Sequence, residues 1–301
     1  MVKNFDDVIL KVRSGQIKKV AVAVAQDEPV LEAVKSAKEQ GIAEAVLVGD
    51  EAAIKEIADR IDMDLSKFEI IHEPNDTKAA LKAVELASKG KADMVMKGLV
   101  DTANFLRAVL NKEIGLRTGK LMSHVAVFEI PGIDRLIFLT DAAFNMYPDL
   151  KGKIDILNNS VKVAHAVGVE VPKVAPVCAV EVVNPDMPAT VDASLLAKMN
   201  DRGQIKGCIV DGPLALDNAL SEEAAKHKKV GGPVAGKADI ILLPNIEAAN
   251  VMYKTLTYTT NSRNGGILVG TSAPVILTSR ADSFETKVNS IALAALVAAD
   301  K

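Results

Sequence analysis

The alternation of short β-rich runs with helix-like segments is the feature that most constrains the fold of this 301-residue chain. Residues 20–25 and 94–96 are compact apolar runs, a pattern typical of strands that are covered on both faces. Segments 29–40 and 77–89 carry helical spacing, and Gly90 is a suitable stop for the second of them. This βαβα order predicts an α/β fold with mainly parallel sheets flanked by helices.

The pattern changes in the middle of the chain. Residues 125–129 and 135–140 look like a pair of strands joined by a Pro-Gly turn. Farther along, we expect a strand at 174–183 and a single helix at 216–229. The sequence pattern of the second half, from about residue 122, thus differs from that of the first.

This change of pattern indicates two domains. We expect the first to comprise residues 1–130 and 275–301, and the second to comprise residues 131–274. The last segment, 284–299, reads as a helix that returns to the first domain.

Composition narrows the classes of function. The chain has no Trp and a net charge of −3, which argue against a nucleic-acid-binding role. No apolar run approaches the length of a bilayer span, and the N-terminus has no signal-peptide cleavage site, so we expect no membrane association. Cys178 and Cys208 lie in apolar runs, as expected of buried thiols in a reducing compartment. We therefore expect a cytoplasmic protein.

The segment 265–280, GGILVGTSAPVILTSR, is the most informative single stretch. Its second apolar run ends in Thr278, Ser279 and Arg280, and a helix signal follows at once. In α/β folds, ligands bind outside the carboxyl ends of strands, and a guanidinium can bind phosphate through two parallel hydrogen bonds. The pattern predicts that Ser279 and Arg280 meet an anionic ligand. The alternative is a helix N-terminus with an incidental Arg.

Other strand ends also carry polar groups. Lys97 follows the run 94–96, and Thr102 then opens a helix whose N-terminus suits an anion. Asn145 lies just after the strand at 135–140 and is a candidate for binding a carbonyl or phosphate oxygen. Several separate strand ends therefore offer polar groups, as a cleft between two domains requires, while turn formation is an equal alternative for Asp141 beside Asn145.

The loop before the strand at 125–129 combines cations, hydroxyls and a histidine, which offer many donors to a phosphate or pyrophosphate. Its candidate residues are Arg117, Lys120, Ser123 and His124. The alternative is an ordinary charged loop.

Residues 231–237, GGPVAGK, match the outline of a phosphate-binding P-loop. However, Ala238 stands where Ser or Thr is needed for Mg²⁺, and the segment leads into a strand rather than into a helix. We therefore reject nucleotide hydrolysis and keep Lys237 as a candidate ligand contact. The four histidines have no metal-ligand spacing, so no metal site is predicted.

Two acids follow the Ser-Arg pair. Asp282 and Glu285 have the spacing of a helix N-cap residue and its reciprocal acid. Capping is the first expectation for both residues, and a role as general base is the second.

Long stretches of the chain resemble the phosphate acetyl/butyryltransferase family, whose members exchange coenzyme A for phosphate on an acyl group. The resemblance covers essentially the whole chain. Its strongest markers are 20–34 (VAVAVAQDEPVLEAV), 91–120 (KADMVMKGLVDTANFLRAVLNKEIGLRTGK), 122–129 (MSHVAVFE), 138–145 (FLTDAAFN), 209–220 (IVDGPLALDNAL), 234–256 (VAGKADIILLPNIEAANVMYKTL) and 270–282 (GTSAPVILTSRAD).

The resemblance implies a two-domain fold like that of isocitrate and isopropylmalate dehydrogenases, with the active site in the interdomain cleft. It also implies a homo-oligomer, a dimer or a larger assembly, that needs no metal or other cofactor because coenzyme A is a substrate. The family's catalytic Ser-Arg pair falls on Ser279 and Arg280. The Asp regarded as the base in acetyl-type members falls on Thr286, so the base is Asp282, Glu285 or the phosphate substrate itself.

We predict the reaction acyl-CoA + phosphate ⇌ acyl phosphate + CoA, by direct attack in a ternary complex and with butyryl as the acyl group. Lys97, Arg117 and Lys120 would offset the charge of the two anionic substrates. Phosphate acetyltransferase is the alternative within this chemistry. A metal- and NAD-dependent hydroxyacid dehydrogenase can share the architecture, but Asp211 and Asp217 alone do not make its metal site. A non-catalytic protein that binds CoA or an anion is the third possibility.

Overall fold

The computed structural model describes residues 2–279 and 282–300, which form two compact units. The first unit comprises Phe5–Lys120 and the described residues from Asn264 onward. The second unit comprises Leu121–Arg263 and the described residues before Phe5. The boundaries between the units lie at 120/121 and 263/264, whereas the sequence predicts domain boundaries at 130/131 and 274/275.

The elements of the described residues are numbered here in chain order. The helices are α1 (Phe5–Arg13), α2 (Glu28–Glu39), α3 (Glu51–Arg60), α4 (Asp76–Ser88), α5 (Thr102–Val109), α6 (Leu150–Val167), α7 (Pro188–Asp201), α8 (Leu216–Leu220), α9 (Glu222–His227), α10 (Ile246–Thr259) and α11 (Phe284–Ala299). The strands are β1 (Lys18–Ala23), β2 (Ala43–Gly49), β3 (Glu69–His72), β4 (Met94–Lys97), β5 (Ser123–Glu129), β6 (Leu136–Thr140), β7 (Lys173–Pro176), β8 (Ile209–Val210), β9 (Ile240–Leu242), β10 (Arg263–Val269) and β11 (Val275–Ile276).

The first unit is built on the parallel run β3-β2-β1-β4-β11, with β10 antiparallel to β11. Strand β4 lies between β1 and β11, in a register that pairs Lys97 with Ala23 and Met96 with Ile276. The central strands are buried on both faces because helices cover them, which explains their unbroken apolar sequence. The α/β class predicted from the sequence is confirmed.

Helix α11 is buried along most of its length and packs in this unit against α2 and β11. Thr286 Oγ1 donates to Asn264 Oδ1 at 2.8 Å, and Asn289 Nδ2 donates to the Asn264 carbonyl at 3.0 Å. These hydrogen bonds attach the first turns of α11 to β10 and fix the position of its N-terminus.

The second unit has the strand order β5-β6-β9-β7-β8. The β5–β6 pair is antiparallel, as the Pro-Gly turn predicted, and the remaining pairs are parallel. Apolar side chains of β5, β6 and β9 form a core that α10 helps to cover. Within the described residues, no helix has both the length and the apolar character needed to cross a bilayer.

Two predicted elements of the second unit were wrong in extent. The strand expected at 174–183 ends at Pro176, and the chain then runs to the surface, where the side chains of Val182 and Val183 are exposed. The helix expected at 216–229 is two helices, because Ser221 caps α9 by accepting a hydrogen bond from the Ala224 N–H.

Candidate active site

The carboxyl ends of β1, β4 and β11 lie side by side in the first unit. Because these strands are parallel neighbours, the residues that follow them meet at one edge of the sheet. Lys97 ends β4, Ser279 follows β11, and Asp27 follows β1 as the N-cap residue of α2. Residues far apart in sequence are thus brought together by the register.

Gly98 allows the ends of β1 and β4 to approach each other closely. Its N–H donates to the Ala23 carbonyl at 2.8 Å. A Cβ at this position would lie 2.2 Å from the Val24 carbonyl oxygen, so a side chain does not fit. The Lys97–Gly98 pair is therefore held tightly against the end of β1.

These strand ends surround a cavity of about 130 Å³, which we call the strand-end cavity. Lys97, Gly98, Thr278 and Ser279 line it, as do the N-terminus of α2 and Lys287 from α11. Two of the predicted site residues, Lys97 and Ser279, therefore share one cavity. Lys97 is buried, and its Nζ donates to the Gly98 carbonyl at 3.2 Å.

Asp282 positions the backbone of Ser279. Its carboxylate Oδ2 accepts a hydrogen bond from the Ser279 N–H at 2.6 Å, and its own N–H donates to the Ser279 carbonyl at 3.2 Å. Arg280, the partner of Ser279 in the sequence motif, lies outside the described residues.

The capping prediction for α11 was wrong by one residue. The N-cap is Ser283, whose hydroxyl accepts from the Thr286 N–H at 3.1 Å. Asp282 does not cap the helix because its carboxylate is bonded to Ser279. Glu285 lies exposed in the first turn of α11, where a negative charge interacts favourably with the helix dipole.

Lys287 was not selected from the sequence. Its side chain is 2% exposed, and its Nζ donates to the Asp282 carbonyl at 2.6 Å. Burial lowers the pKa of this ammonium, and the nearby carboxylates of Asp282 and Asp27 oppose that shift. A sequence signal existed, since Lys287 is the one basic residue in the sixteen of α11.

The other candidate residues of the first unit have exposed side chains. Thr102 begins α5, and the cations Arg117 and Lys120 lie on the following loop. That loop is tied to the one between β10 and β11, because Thr118 Oγ1 donates to the Gly270 carbonyl at 2.5 Å and the Ser272 N–H to the Leu116 carbonyl at 2.9 Å.

The remaining candidates belong to the second unit. Ser123 is fully buried and accepts from Asn159 Nδ2 at 2.8 Å, while the ring of buried His124 lies edge-on to Tyr253 at 6.0 Å. Asn145 uses its amide N–H groups on Asp141 Oδ2 and on the Met122 carbonyl.

Lys237 is exposed and lies 3.8 Å from Glu222 Oε1. The 231–237 segment enters β9, so its context is opposite to that of a P-loop. Cys178 and Cys208 are buried and reduced, as predicted, and burial raises the pKa of each thiol to about 11.

Comparison with known proteins places the chain in a family. A model described as "Phosphate acetyl/butaryl transferase" matches residues 4–80 and 72–295. The chain is 74% identical to a phosphate butyryltransferase of Clostridium acetobutylicum over 100% of both chains. It is 47% identical to a phosphate acetyltransferase of Thermotoga maritima, over 98% of this chain and 100% of the relative.

Solved structures agree with this placement. A branched-chain phosphotransacylase from Enterococcus faecalis superposes with a TM-score of 0.83 at 33% identity, over 94% of this chain and 99% of that one. A 4-hydroxythreonine-4-phosphate dehydrogenase from Burkholderia phymatum, at 15% identity and a TM-score of 0.53 over 95% and 98% of the two chains, shares the fold. The dehydrogenase-like architecture is thus confirmed at the level of fold. The chain belongs to the phosphate acetyl/butyryl transferase family and is a phosphate acyltransferase.

Proposed function

We propose that this protein catalyses butyryl-CoA + phosphate ⇌ butyryl phosphate + CoA by direct attack in a ternary complex. The observation that carries the proposal is the placement of Ser279, at a strand end and in one cavity with the buried Lys97, in a chain with the family's sequence. A hydroxyl beside a cation suits a reaction between an inorganic oxyanion and a thioester.

In the proposed reaction, a phosphate oxygen attacks the carbonyl carbon of the thioester. A C–O bond forms, and the carbonyl becomes a tetrahedral oxyanion, to which the Ser279 hydroxyl donates a hydrogen bond. Losing one such donor typically costs about 2.7–4 kcal/mol of barrier. The intermediate collapses by breaking the C–S bond, and CoA leaves as a thiolate that then takes up a proton, since a free thiol has a pKa of about 8.5.

We propose that cationic side chains offset the negative charge of the two substrates, phosphate and acyl-CoA. We assign the phosphate to Arg280, whose planar fork matches two phosphate oxygens, with Lys97 adding a second positive charge. Exposed Arg117 and Lys120 are assigned to the phosphate groups of CoA, together with the N-terminus of α5 at Thr102. Lys237, which belongs to the second unit, is kept as a further candidate contact to an anionic substrate.

The acids and the buried polar residues receive positioning roles. Asp282 holds the Ser279 backbone, so we assign the base function to the phosphate dianion, which carries an unprotonated oxygen. Glu285 is kept as the alternative base. Ser123, His124 and Asn145 hold their own segments of the second unit in place through the contacts described above.

Butyryl is preferred over acetyl because of the closer relatives. Identity to the Clostridium butyryltransferases is 74% and 71%, against 47% to the Thermotoga acetyltransferase. One methylene changes discrimination by about 1–3 kcal/mol, so a pocket shaped for the longer chain would separate the two substrates clearly. We further propose a cytoplasmic homo-oligomer that needs no metal or organic cofactor.

The test is thiol release from acetyl-, propionyl-, butyryl- and valeryl-CoA, with and without phosphate. We expect phosphate-dependent release with the highest kcat/KM for butyryl-CoA, and intersecting double-reciprocal plots. Parallel plots with a trapped acyl-protein would contradict direct transfer. Saturable CoA binding without phosphate-dependent turnover would contradict the catalytic function altogether.

A further inference from the structure

Lys287 occupies a position that general rules disfavour for a lysine. It is buried, which penalises the charged form, and it lies in the first turn of α11, where the helix dipole repels a cation. The rest of α11 has no other basic residue. Places where a sequence breaks several local rules together are most often functional.

The ammonium of Lys287 can donate more hydrogen bonds than the one it makes to the Asp282 carbonyl. An ammonium has three donors, and the Asp282 carbonyl takes one of them at 2.6 Å. The carboxylates of Asp27 and Asp282 interact with Lys287 electrostatically, but their hydrogen bonds are to backbone groups, Asp27 accepting from the Val30 N–H and Asp282 from the Ser279 N–H. Within residues 2–279 and 282–300, Lys287 makes no ion pair with a carboxylate.

The strand-end cavity that Lys287 lines has the size of a small ion. Its volume of about 130 Å³ far exceeds the roughly 10–15 Å³ that one water needs. It is well below the roughly 300–1,000 Å³ of pockets that enclose drug-sized ligands and cofactors. A tetrahedral oxyanion fits this space, whereas the nucleotide part of CoA does not.

We infer that Lys287 binds the inorganic phosphate substrate, donating a charge-assisted hydrogen bond to a phosphate oxygen in the strand-end cavity beside Ser279. Lys97 lines the same cavity and supplies a second ammonium. The carbonyl of Asp282 aims the Lys287 ammonium, and the carboxylate of Asp282 aims Ser279, so one residue orients both groups. This inference rests on the proposed function and adds a phosphate ligand to it.

The experiment compares Lys287→Gln, Lys287→Arg and the exposed control Lys82→Gln with the wild-type enzyme. For each, the KM values for phosphate and for butyryl-CoA are measured, together with the rise in Tm produced by phosphate alone. Gln removes the buried charge and its desolvation cost, so this variant is expected to fold. We expect its phosphate KM to rise about 10- to 100-fold, the range for losing a hydrogen bond to a charged group.

The remaining expectations separate this role from others. Lys287→Gln should keep the butyryl-CoA KM within about twofold and lose the phosphate-induced rise in Tm, whereas Lys287→Arg should keep most of that rise, because a guanidinium retains the charge. Lys82→Gln should match the wild type. A phosphate KM unchanged in Lys287→Gln, or a change confined to butyryl-CoA, would overturn the inference. Absence of phosphate-dependent turnover in the wild-type enzyme would instead refute the proposed function.

Discussion

Each unit buries a lysine that a helix places near the carboxyl ends of parallel strands, but these two helical lysines have different partners. In the second unit, Lys153 Nζ lies 2.5 Å from Asp192 Oδ2, beside a cavity of about 10 Å³. In the first unit, Lys287 Nζ lies 2.6 Å from the Asp282 carbonyl oxygen, beside the strand-end cavity of about 130 Å³. A carboxylate cancels the charge of an ammonium, and a carbonyl does not. Burial alone therefore does not distinguish a lysine that can bind a ligand from one that pairs within the fold, whereas its partner and the adjacent space do.

The largest expected effect is on catalysis in the first unit. Ser279→Ala should lower kcat by about 10²–10³-fold, because the oxyanion loses a hydrogen-bond donor. The matched control is Ser194→Ala on α7, whose hydroxyl donates to the Val191 carbonyl at 2.7 Å. Steady-state kinetics of both variants provide the measurement. If Ser279→Ala keeps full activity, the first unit's cavity has no catalytic hydroxyl at this position.

The next effect is on stability in the second unit. Lys153→Met should lower the free energy of unfolding by about 3 kcal/mol, because it strands the Asp192 carboxylate. The value is at the low end for buried pairs because the Asp192 side chain is 25% exposed. Urea unfolding gives the measurement, and Lys153→Met combined with Asp192→Leu should recover most of the loss. If Lys153→Met alone is as stable as the wild type, the Lys153–Asp192 pair does not stabilise the second unit, and the contrast with Lys287 fails.

Asp282 separates positioning from general-base catalysis. Asp282→Ala should lower kcat by roughly tenfold, because the Ser279 N–H loses its acceptor and the loop relaxes. Asp282→Asn retains an acceptor oxygen and should stay close to wild type. The measurement is kcat as a function of pH for both variants. An Asn variant as slow as the Ala variant, with the loss of a pH limb, would instead identify Asp282 as the base.

The smallest effect concerns Cys178, which lines the small cavity of the second unit. Burial raises the pKa of its thiol from 9.0 to about 11, so between these values the unfolded chain releases a proton that the folded chain keeps. Stability must therefore fall as pH rises through this window, by about 1 kcal/mol between pH 9 and pH 10. Urea unfolding at both pH values should show this slope reduced in Cys178→Ala. An identical slope would mean that the thiol is not shielded.

Much of the first unit was predictable because β1 and β2 carry distinct apolar runs and well-capped helices follow them. Asp27 and Asp50 cap α2 and α3, so the βαβα order could be identified from local sequence. The second unit was harder to predict, because the apolar pattern continues beyond the end of β7 at Pro176, β8 has only two residues and Ser221 divides a continuous helical pattern. Short elements carry too few residues for their periodicity to be distinctive.

The site was predictable in part. Lys97 and Ser279 were identified as strand-end residues, and both line the strand-end cavity. The partner of Asp282 was missed because a carboxylate three residues from Ser279 and next to a helix has two possible acceptor roles, and sequence spacing does not decide between them. Whether Ser283 or Asp282 caps the helix depends on backbone angles that only the fold sets.

Local patterns and long matched motifs were enough to establish the α/β class, the family and most of the order of helices and strands, but not α1 or the break between α8 and α9. The tertiary structure alone decided that Asp27, Lys97, Ser279 and Lys287 surround one cavity. The reason is physical: their meeting depends on the order and register of parallel strands, which no local pattern encodes. The same holds for the ion pair between Lys153 and Asp192, which lie far apart in the chain.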